Sequence, residues 1–226
     1  MVDPVLANVP LFAALDADGA SALLASMVEI HVAKGQTVFV EGDEGESLYV
    51  IRTGKIKLGH ASTDGRETLL AVLGPGEMFG ELSFFDPGPR VSSATALTDT
   101  ALASLSRSSL RPWLTGRPEV AEALLQAMAH RLRRTSEAMG DLVFTDVPGR
   151  VAKALLDLSE KFGETTAEGT LVSHDLTQEE LAQLVGASRE TVNKALADFA
   201  SRAWIRIESR AVVILDAERL AKRATR

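Results

Sequence analysis

The chain of 226 residues contains no cysteine, one tyrosine and two tryptophans. Without thiols it has no disulfide, no thiolate nucleophile and no cysteine-ligated iron–sulfur cluster. Aromatic residues make up 5% of the chain against 46% hydrophobic residues, so its core is built from aliphatic side chains. Histidine is scarce too. His31, His60, His130 and His174 are scattered, and only the pair His174–Asp175 suggests a metal phosphohydrolase. A metal centre needs more ligands than that pair supplies. Nothing resembles an activated Ser, Cys or Lys nucleophile, so the expectation is a non-enzyme without a metal. The acidic run Glu41–Glu46 lacks the residue order of a calcium loop and reads as a turn. No apolar run approaches the ~20 residues that cross a bilayer. MVDPVLANVP has neither a basic nor an apolar leader region. These absences predict a cytoplasmic protein that engages no membrane.

The formal net charge of −7 argues against an unselective nucleic-acid binder. The acidity is uneven: residues 1–145 carry 12 cationic against 18 acidic side chains, and residues 146–226 carry 12 against 13. Between 189 and 210 five cations (Arg189, Lys194, Arg202, Arg206, Arg210) meet three anions, a weak positive patch. Such a surface needs shape, symmetry and base contacts more than bulk charge.

That patch overlaps the most telling stretch, LTQEELAQLVGASRETVNKALADF at 176–199. Thr177 and Glu180 are spaced as a capping box and start one helix. Leu181, Leu184 and Val185 give it an apolar face. Gly186 permits a sharp turn, and Ser188 caps a second helix. On that helix Val192, Leu196 and Phe199 point inward, while Arg189, Glu190, Asn193 and Lys194 fall on the opposite face. A helix-turn-helix sets the first turns of its second helix against base edges. There Arg can engage guanine O6 and N7 together, and Glu can accept from cytosine N4. An ordinary helix pair with a solvated face is the alternative. The following WIRIESRAVVILD alternates as a hairpin turning at Ser209–Arg210. That makes a winged arrangement, with Arg206 and Arg210 near a DNA backbone.

Upstream, residues 1–28 show short helical patterns around Leu6, Leu11, Phe12, Leu23 and Leu24. From 29 to 106 the runs TVFVEG, SLYVIRTG, KIKLGHAS, TLLAVLG, SSATALT and ALASLS recur between glycines, the texture of a small β-barrel or sandwich. Residues 118–144 differ. Ala121, Leu125, Met128, Leu132, Thr135, Met139 and Leu142 step by alternating fours and threes, an a/d seam on a helix of roughly 40 Å. Packing of this helix on its own β-domain is the alternative reading. Thr135 is the polar seam position, a residue with a register or ligand role. At FTDVPGR the helix ends. Val147 before Pro148 is biased away from helix, and Asp146 caps a new helix running to Phe162, with Gly149 in its first turn.

One loop, FGELSFFDPGPRVSSA at 79–94, gathers a glycine, a carboxylate and an arginine. Gly80 allows close backbone approach, Glu81 accepts from a sugar hydroxyl, and Arg90 offers a planar fork to phosphate oxygens. The amides after Pro89 form a small anion nest. A buried structural Glu–Arg bridge is the plainer alternative.

Together F-G-E-L near 79, R-R-T-S-E at 133–137, F-T-D-V-P-G-R at 144–150 and V-G-A-S-R-E-T-V at 185–192 resemble the cyclic AMP receptor protein family. This is the CRP/FNR superfamily of bacterial transcription regulators, and the last two motifs look closest to its actinobacterial members. The resemblance implies an α+β chain in three parts. Residues 1–117 would be a cyclic-nucleotide-binding β-roll, 118–145 a dimerisation helix and hinge (Asp146, Val147, Pro148 and Gly149 at the joint), and 146–226 a winged helix-turn-helix. It implies cyclic AMP as effector with no resident cofactor, a homodimer, a TGTGA-like inverted repeat in double-stranded DNA, and RNA polymerase as a partner. Carried over by position, Gly80, Glu81 and Leu82 line the pocket. Glu81 holds the ribose 2′-hydroxyl and Arg90 the cyclic phosphate. Thr135 touches adenine from its own subunit and Ser136 from the partner, with Arg131 nearby on the same helix. Thr177, Ser188, Arg189, Glu190, Asn193, Lys194, Arg206 and Arg210 face DNA. Two positions depart from the pattern. Val91 stands where Ser or Thr is usual, which removes a phosphate contact worth about 1 kcal/mol and leaves the Val91 amide and the Ser92 hydroxyl. Lys194 stands where Arg is common and lacks its fork. Alternatives are a ligand-independent regulator and a cyclic-nucleotide module acting on a protein partner. Iron–sulfur relatives are removed, and haem-sensing ones disfavoured, by the missing cysteine.

Overall fold

The structure, a computed structural model, describes residues 4–7, 9–62 and 67–225. Part of the leader-peptide reading falls on residues 1–3 and 8, outside the described residues. The chain divides into two compact units, one extending to residue 134 and one from 135 onward that also takes residues 67–69.

In the first unit two four-stranded sheets enclose an aliphatic core. One is ordered Val28–Val32, Thr100–Ser106, Ser47–Thr53, Met78–Phe79, and the other Thr37–Phe39, Ser93–Ala96, Ile56–Ala61, Glu67–Leu73. The six runs legible in the sequence are all strands; Val28–Val32 and Met78–Phe79 had no comparable pattern. The two-residue side-chain period sorts the central strands. Leu48 and Val50 pair with Leu105 and Ala103 and face the helices, whereas Ile51 pairs with Leu102 and faces the roll interior. The helical layer on the outer face holds Leu6, Leu11, Phe12, Leu23, Leu110, Val120 and Leu124, all buried. Inside the roll the few aromatics gather. Phe79 stacks on Tyr49 at 5.2 Å between ring centroids, and both approach Phe39 at 5.9 Å. Truncating the fully buried Phe79 to Ala would cost about 3–5 kcal/mol.

The helix Pro118–Phe144 is continuous and starts on proline, whose missing N–H costs nothing in a first turn. Within the first unit Val120 and Leu124 are its buried positions.

In the second unit the helix Val147–Phe162 buries Val151, Leu155 and Leu158 at i, i+4, i+7. Asp146 caps it, accepting from the Gly149 amide at 2.9 Å. Val147 is helical here despite preceding proline: as the first helical residue it starts a turn that this cap secures. Gly163 ends the helix in an extended conformation rather than the left-handed one of many C-terminal glycines. A Cβ there would lie 2.3 Å from the Ser159 carbonyl oxygen. From Gly163 the chain enters a sheet ordered Ile205–Glu208, Ala211–Ile214, Thr170–Val172, Gly163–Thr165. The expected hairpin is thus the outer part of a larger sheet. Its other two strands are only three residues each, too short for a periodicity signal. The helices Gln178–Val185 and Arg189–Ser201 pack beside it, followed by Ala217–Ala224.

Candidate functional site

In the first unit the glycine-to-arginine loop folds into a small cassette. Gly80 takes φ +81 and starts the helix Glu81–Phe85. That left-handed backbone favours glycine, and a Cβ there would also lie 2.8 Å from Arg90 Nη1. The turn drives Glu81 inward, 2% exposed, and Arg90 is 4% exposed. They are not bonded to each other. Arg90 Nη1 donates to the Gly80 carbonyl at 2.7 Å and to Ser83 Oγ at 3.3 Å, and Nη2 donates to the Ser47 carbonyl at 2.8 Å. The guanidinium lies over the Phe39 ring at 4.2 Å. Burial lowers its pKa, opposed by attraction to Tyr49, Asp43 and Glu81. Arginine starts so high that it stays charged.

Glu81 Oε1 accepts instead from Arg131 Nη1, fifty residues downstream on the long helix. Two atoms remain: Glu81 Oε2 and Arg90 Nε are buried and have no hydrogen-bond partner. One is an acceptor carrying negative charge, the other a donor carrying positive charge. Buried polar atoms are ordinarily paired, and this pair of opposite polarity suits a ligand that offers both a hydroxyl and an anionic oxygen. The plainer sequence alternative, a Glu81–Arg90 bridge, is not what forms. Leu82 and Val91 are exposed, Ser92 is buried. Sequence reasoning missed Ser47, Ser83 and Phe39, which fix the Arg90 fork; nothing local in those segments distinguishes them. Thr135 and Ser136 are exposed on the same helix as Arg131.

In the second unit the helix-turn-helix forms as spaced. Thr177 Oγ1 accepts from the Glu180 amide at 3.1 Å, and Glu180 Oε2 accepts from the Thr177 amide at 2.8 Å. The Thr177 hydroxyl is therefore occupied by its own cap. Gly186 is left-handed at φ +68, and Ser188 Oγ accepts from the Thr191 amide at 3.2 Å. Val192, Leu196 and Phe199 are buried; Arg189, Glu190 and Lys194 are exposed. Asn193 is only half-buried, and its Oδ1 has no hydrogen-bond partner. Leu184 is half-buried where Leu181 and Val185 are fully buried.

The cations of this surface are largely held by neighbouring carboxylates. Lys194 pairs with Glu190 at 2.6 Å and Arg202 with Asp198 at 2.9 Å. Arg206 pairs with Glu168 and, at 3.1 Å, with Glu208, which raises its pKa, the Glu168 hydrogen bond contributing most. Arg210 is left-handed at φ +56 in the hairpin turn and donates to the Asp175 carbonyl at 3.1 Å. Glu208 is two residues along the same strand, whereas Glu168 comes from a turn 38 residues earlier, beyond what local spacing reveals. His174 is buried with Nδ1 accepting from the Leu176 amide at 3.1 Å. Among the described residues no cluster of three or more His, Asp or Glu is arranged to hold a metal. No described helix is long and apolar enough to cross a membrane.

The joint between the long helix and Val147–Phe162 is densely tied. Arg150 donates to the carbonyls of Thr145 at 2.7 Å, Val185 at 3.0 Å and Gly186 at 3.2 Å. Lys153 pairs with Asp141, and Arg223 reaches Asp146 at 2.6 Å.

Residues 29–115 match the family described as Cyclic nucleotide-binding domain, and residues 149–223 match Crp-like helix-turn-helix domain. The chain is 54% identical over 223 residues to a CRP-like cAMP-activated global transcriptional regulator of Mycobacterium tuberculosis, covering 99% of this chain and all of the other. It is 36% identical to the cyclic AMP receptor protein of Thermus thermophilus over 81% of this chain and 82% of that one. Among solved structures, FixK2 from Bradyrhizobium japonicum superposes with a TM-score of 0.78 at 25% identity, covering 87% of this chain and 96% of that one. The curated relatives are transcription regulators, not enzymes, and the Crp-like helix-turn-helix family accords with them.

Proposed function

The chain belongs to the cyclic AMP receptor protein family of transcription regulators, and on that footing we propose that it is a cyclic-AMP-responsive homodimer that binds an inverted-repeat DNA site. One observation carries the reading: Glu81 Oε2 and Arg90 Nε, buried and unpartnered, in the same cassette. Glu81 accepts from the ribose 2′-hydroxyl while Arg131 holds its other oxygen and offsets its charge. Arg90 meets the cyclic phosphate, assisted by the Val91 amide and the Ser92 hydroxyl. Each charge-assisted contact is worth about 1.5–3 kcal/mol, so the two together supply roughly two to four orders of magnitude in affinity.

Thr135 stands one helical turn beyond Arg131 and contacts the base, with Ser136 reaching the base in the partner subunit. Two copies of the Leu125–Leu142 seam form the dimer. The Asp146–Gly149 joint passes a change in that seam to the helix beginning at Arg189. Arg189, Glu190 and Lys194 read base edges, Lys194 and Glu190 first giving up each other. The dimer axis sets two half-sites about 10 bp apart, and RNA polymerase is the downstream partner.

Ligand can shift such an equilibrium only by its differential affinity for the two arrangements, so the coupling is reciprocal. Calorimetry with cyclic AMP and cyclic GMP, alongside DNA titrations with and without each, tests this. Expected is DNA tightening cyclic-AMP binding by the factor by which cyclic AMP tightens DNA binding. Tight ligand binding with unchanged DNA affinity would mean a constitutive binder, and no nucleotide binding would refute the pocket.

A further inference from the structure

We infer that Arg107, outside the cassette in sequence, is a positioning residue that holds the cyclic-nucleotide pocket in its binding geometry. The inference rests on the proposed pocket and adds a residue that does not itself touch the ligand. Arg107 opens the helix Arg107–Gly116. Its amide donates to the Glu46 carbonyl at 2.9 Å, and its Nη2 to the carbonyls of Ser83 at 2.5 Å and Gly45 at 3.3 Å. Its guanidinium lies 5.8 Å from the centroid of the Phe84 ring.

Arg90 grips the same two segments, through the Ser47 carbonyl on one and the Gly80 carbonyl and Ser83 hydroxyl on the other. Residues 45–47 and 80–83 are thus bound together twice, by two guanidiniums, with Ser83 engaged by both. The packing between the two grips has no slack. A Cβ on Gly45 would lie 2.5 Å from Ser83 Oγ and 2.9 Å from Arg90 Nε, the atom left for the phosphate. Gly45 therefore borders the donor, and Arg107 holds the Gly45 carbonyl.

The consequence is a division of labour. Arg90 supplies charge and a donor to the anion. Arg107 fixes the backbone on both sides of that donor and the helix that carries Glu81. A neutral side chain at 107 frees the Ser83 and Gly45 carbonyls, and both ligand-facing atoms lose their placement together. Lysine keeps the charge and has donors enough for both carbonyls, but its ammonium lacks the planar, rigid guanidinium and holds them less firmly.

The test is calorimetry with cyclic AMP on the full-length protein, with thermal unfolding of the unliganded protein alongside. Arg107→Met keeps the stem against Phe84 and removes the donors; Arg107→Lys is the conservative rescue. Expected is about a 10-fold weaker Kd for Arg107→Met and about 3-fold for Arg107→Lys. The combination of Arg107→Met with Ser83→Ala should lose less than the product of the single losses, because both act through Ser83 on Arg90. A wild-type Kd in folded Arg107→Met overturns the inference while leaving the pocket intact. So do equal losses in the Met and Lys variants, or independent losses in the combination. Should Arg107→Met fail to fold, the same combination built on Arg107→Lys decides, with full independence overturning the inference. A wild-type protein that binds no cyclic AMP refutes the pocket itself, a distinguishable result.

Discussion

Leu132→Glu should convert the protein from dimer to monomer. Leu125 is 67% exposed, Leu132 68%, Met139 65% and Leu142 56%, whereas Val120 and Leu124 are buried on their own unit. The helix thus carries one apolar face already covered and a second that is not. Full burial of such a side chain is worth about 1.5–3 kcal/mol, so covering two-thirds of it yields roughly 1–2 kcal/mol. Four positions in each of two copies give a gross gain of about 8–16 kcal/mol. Association itself costs on the order of 4–15 kcal/mol, so the surplus is modest and a central pair matters. Losing the Leu132 pair removes about 2–4 kcal/mol, and two carboxylates near the axis add about 1 kcal/mol of repulsion. The dimer dissociation constant should rise at least roughly 100-fold. Because Leu132 is exposed in the single chain, its replacement removes little internal packing, and circular dichroism should be unchanged. Sedimentation equilibrium across the micromolar range measures the constant for both proteins. A monomeric wild type, or a Leu132→Glu protein with an unaltered constant, would refute the assignment of this face.

Arg90→Ala should abolish measurable cyclic-AMP binding with fold and dimer intact, and Arg90→Lys should recover only part, by calorimetry; undiminished binding in the alanine variant rejects the pocket. Val91→Thr should tighten binding by up to ~1 kcal/mol, and no change would mean that Ser92 and the backbone amides already serve the phosphate. Arg189→Ala should cost ~1–3 kcal/mol on the matched site and relax preference at one base pair, read by competition between site variants. Asp146 has its pKa lowered, first by the Arg223 hydrogen bond and then, against the cost of burial, by the Gly149 amide. Its stabilisation is therefore present above the ordinary carboxylate value and lost as pH falls through the lowered one. Asp146→Asn keeps the cap but loses the pairing. At neutral pH it should be less stable by a few tenths of a kcal/mol, as suits a pair whose carboxylate is more than half exposed, and the gap should close in acid; parallel melting temperatures from pH 7 to 3 would refute this.

The second unit was the more legible of the two. Its determinants are local: the Thr177–Glu180 box, the left-handed Gly186, the Ser188 cap and the 3.6-residue period of Val192, Leu196 and Phe199 each act within one or two turns. The strands of the roll were readable as a texture, since a two-residue period survives in runs of six or seven. Val28–Val32, Gly163–Thr165, Thr170–Val172 and Met78–Phe79 were not, because no longer alternating run surrounds them and they are defined by their partners.

Sequence by itself determined the helix caps, the break at Thr145–Asp146, the seam spacing and the presence of Glu81 and Arg90 in one glycine-marked loop. Those are settled by covalent neighbours, backbone sterics and side-chain period, all of them short-range. Tertiary structure alone decided that Glu81 pairs with Arg131 rather than Arg90, and that Ser47, Ser83 and Phe39 aim the Arg90 fork. It also decided that Arg107 grips the same segments and that Glu168 claims Arg206. Apart from Ser83 and Arg90, seven residues apart, these partners lie tens of residues apart, brought together by strand pairing and burial. A buried charge accepts whichever donors and acceptors the packed chain places within about 3 Å, and no local pattern names them in advance.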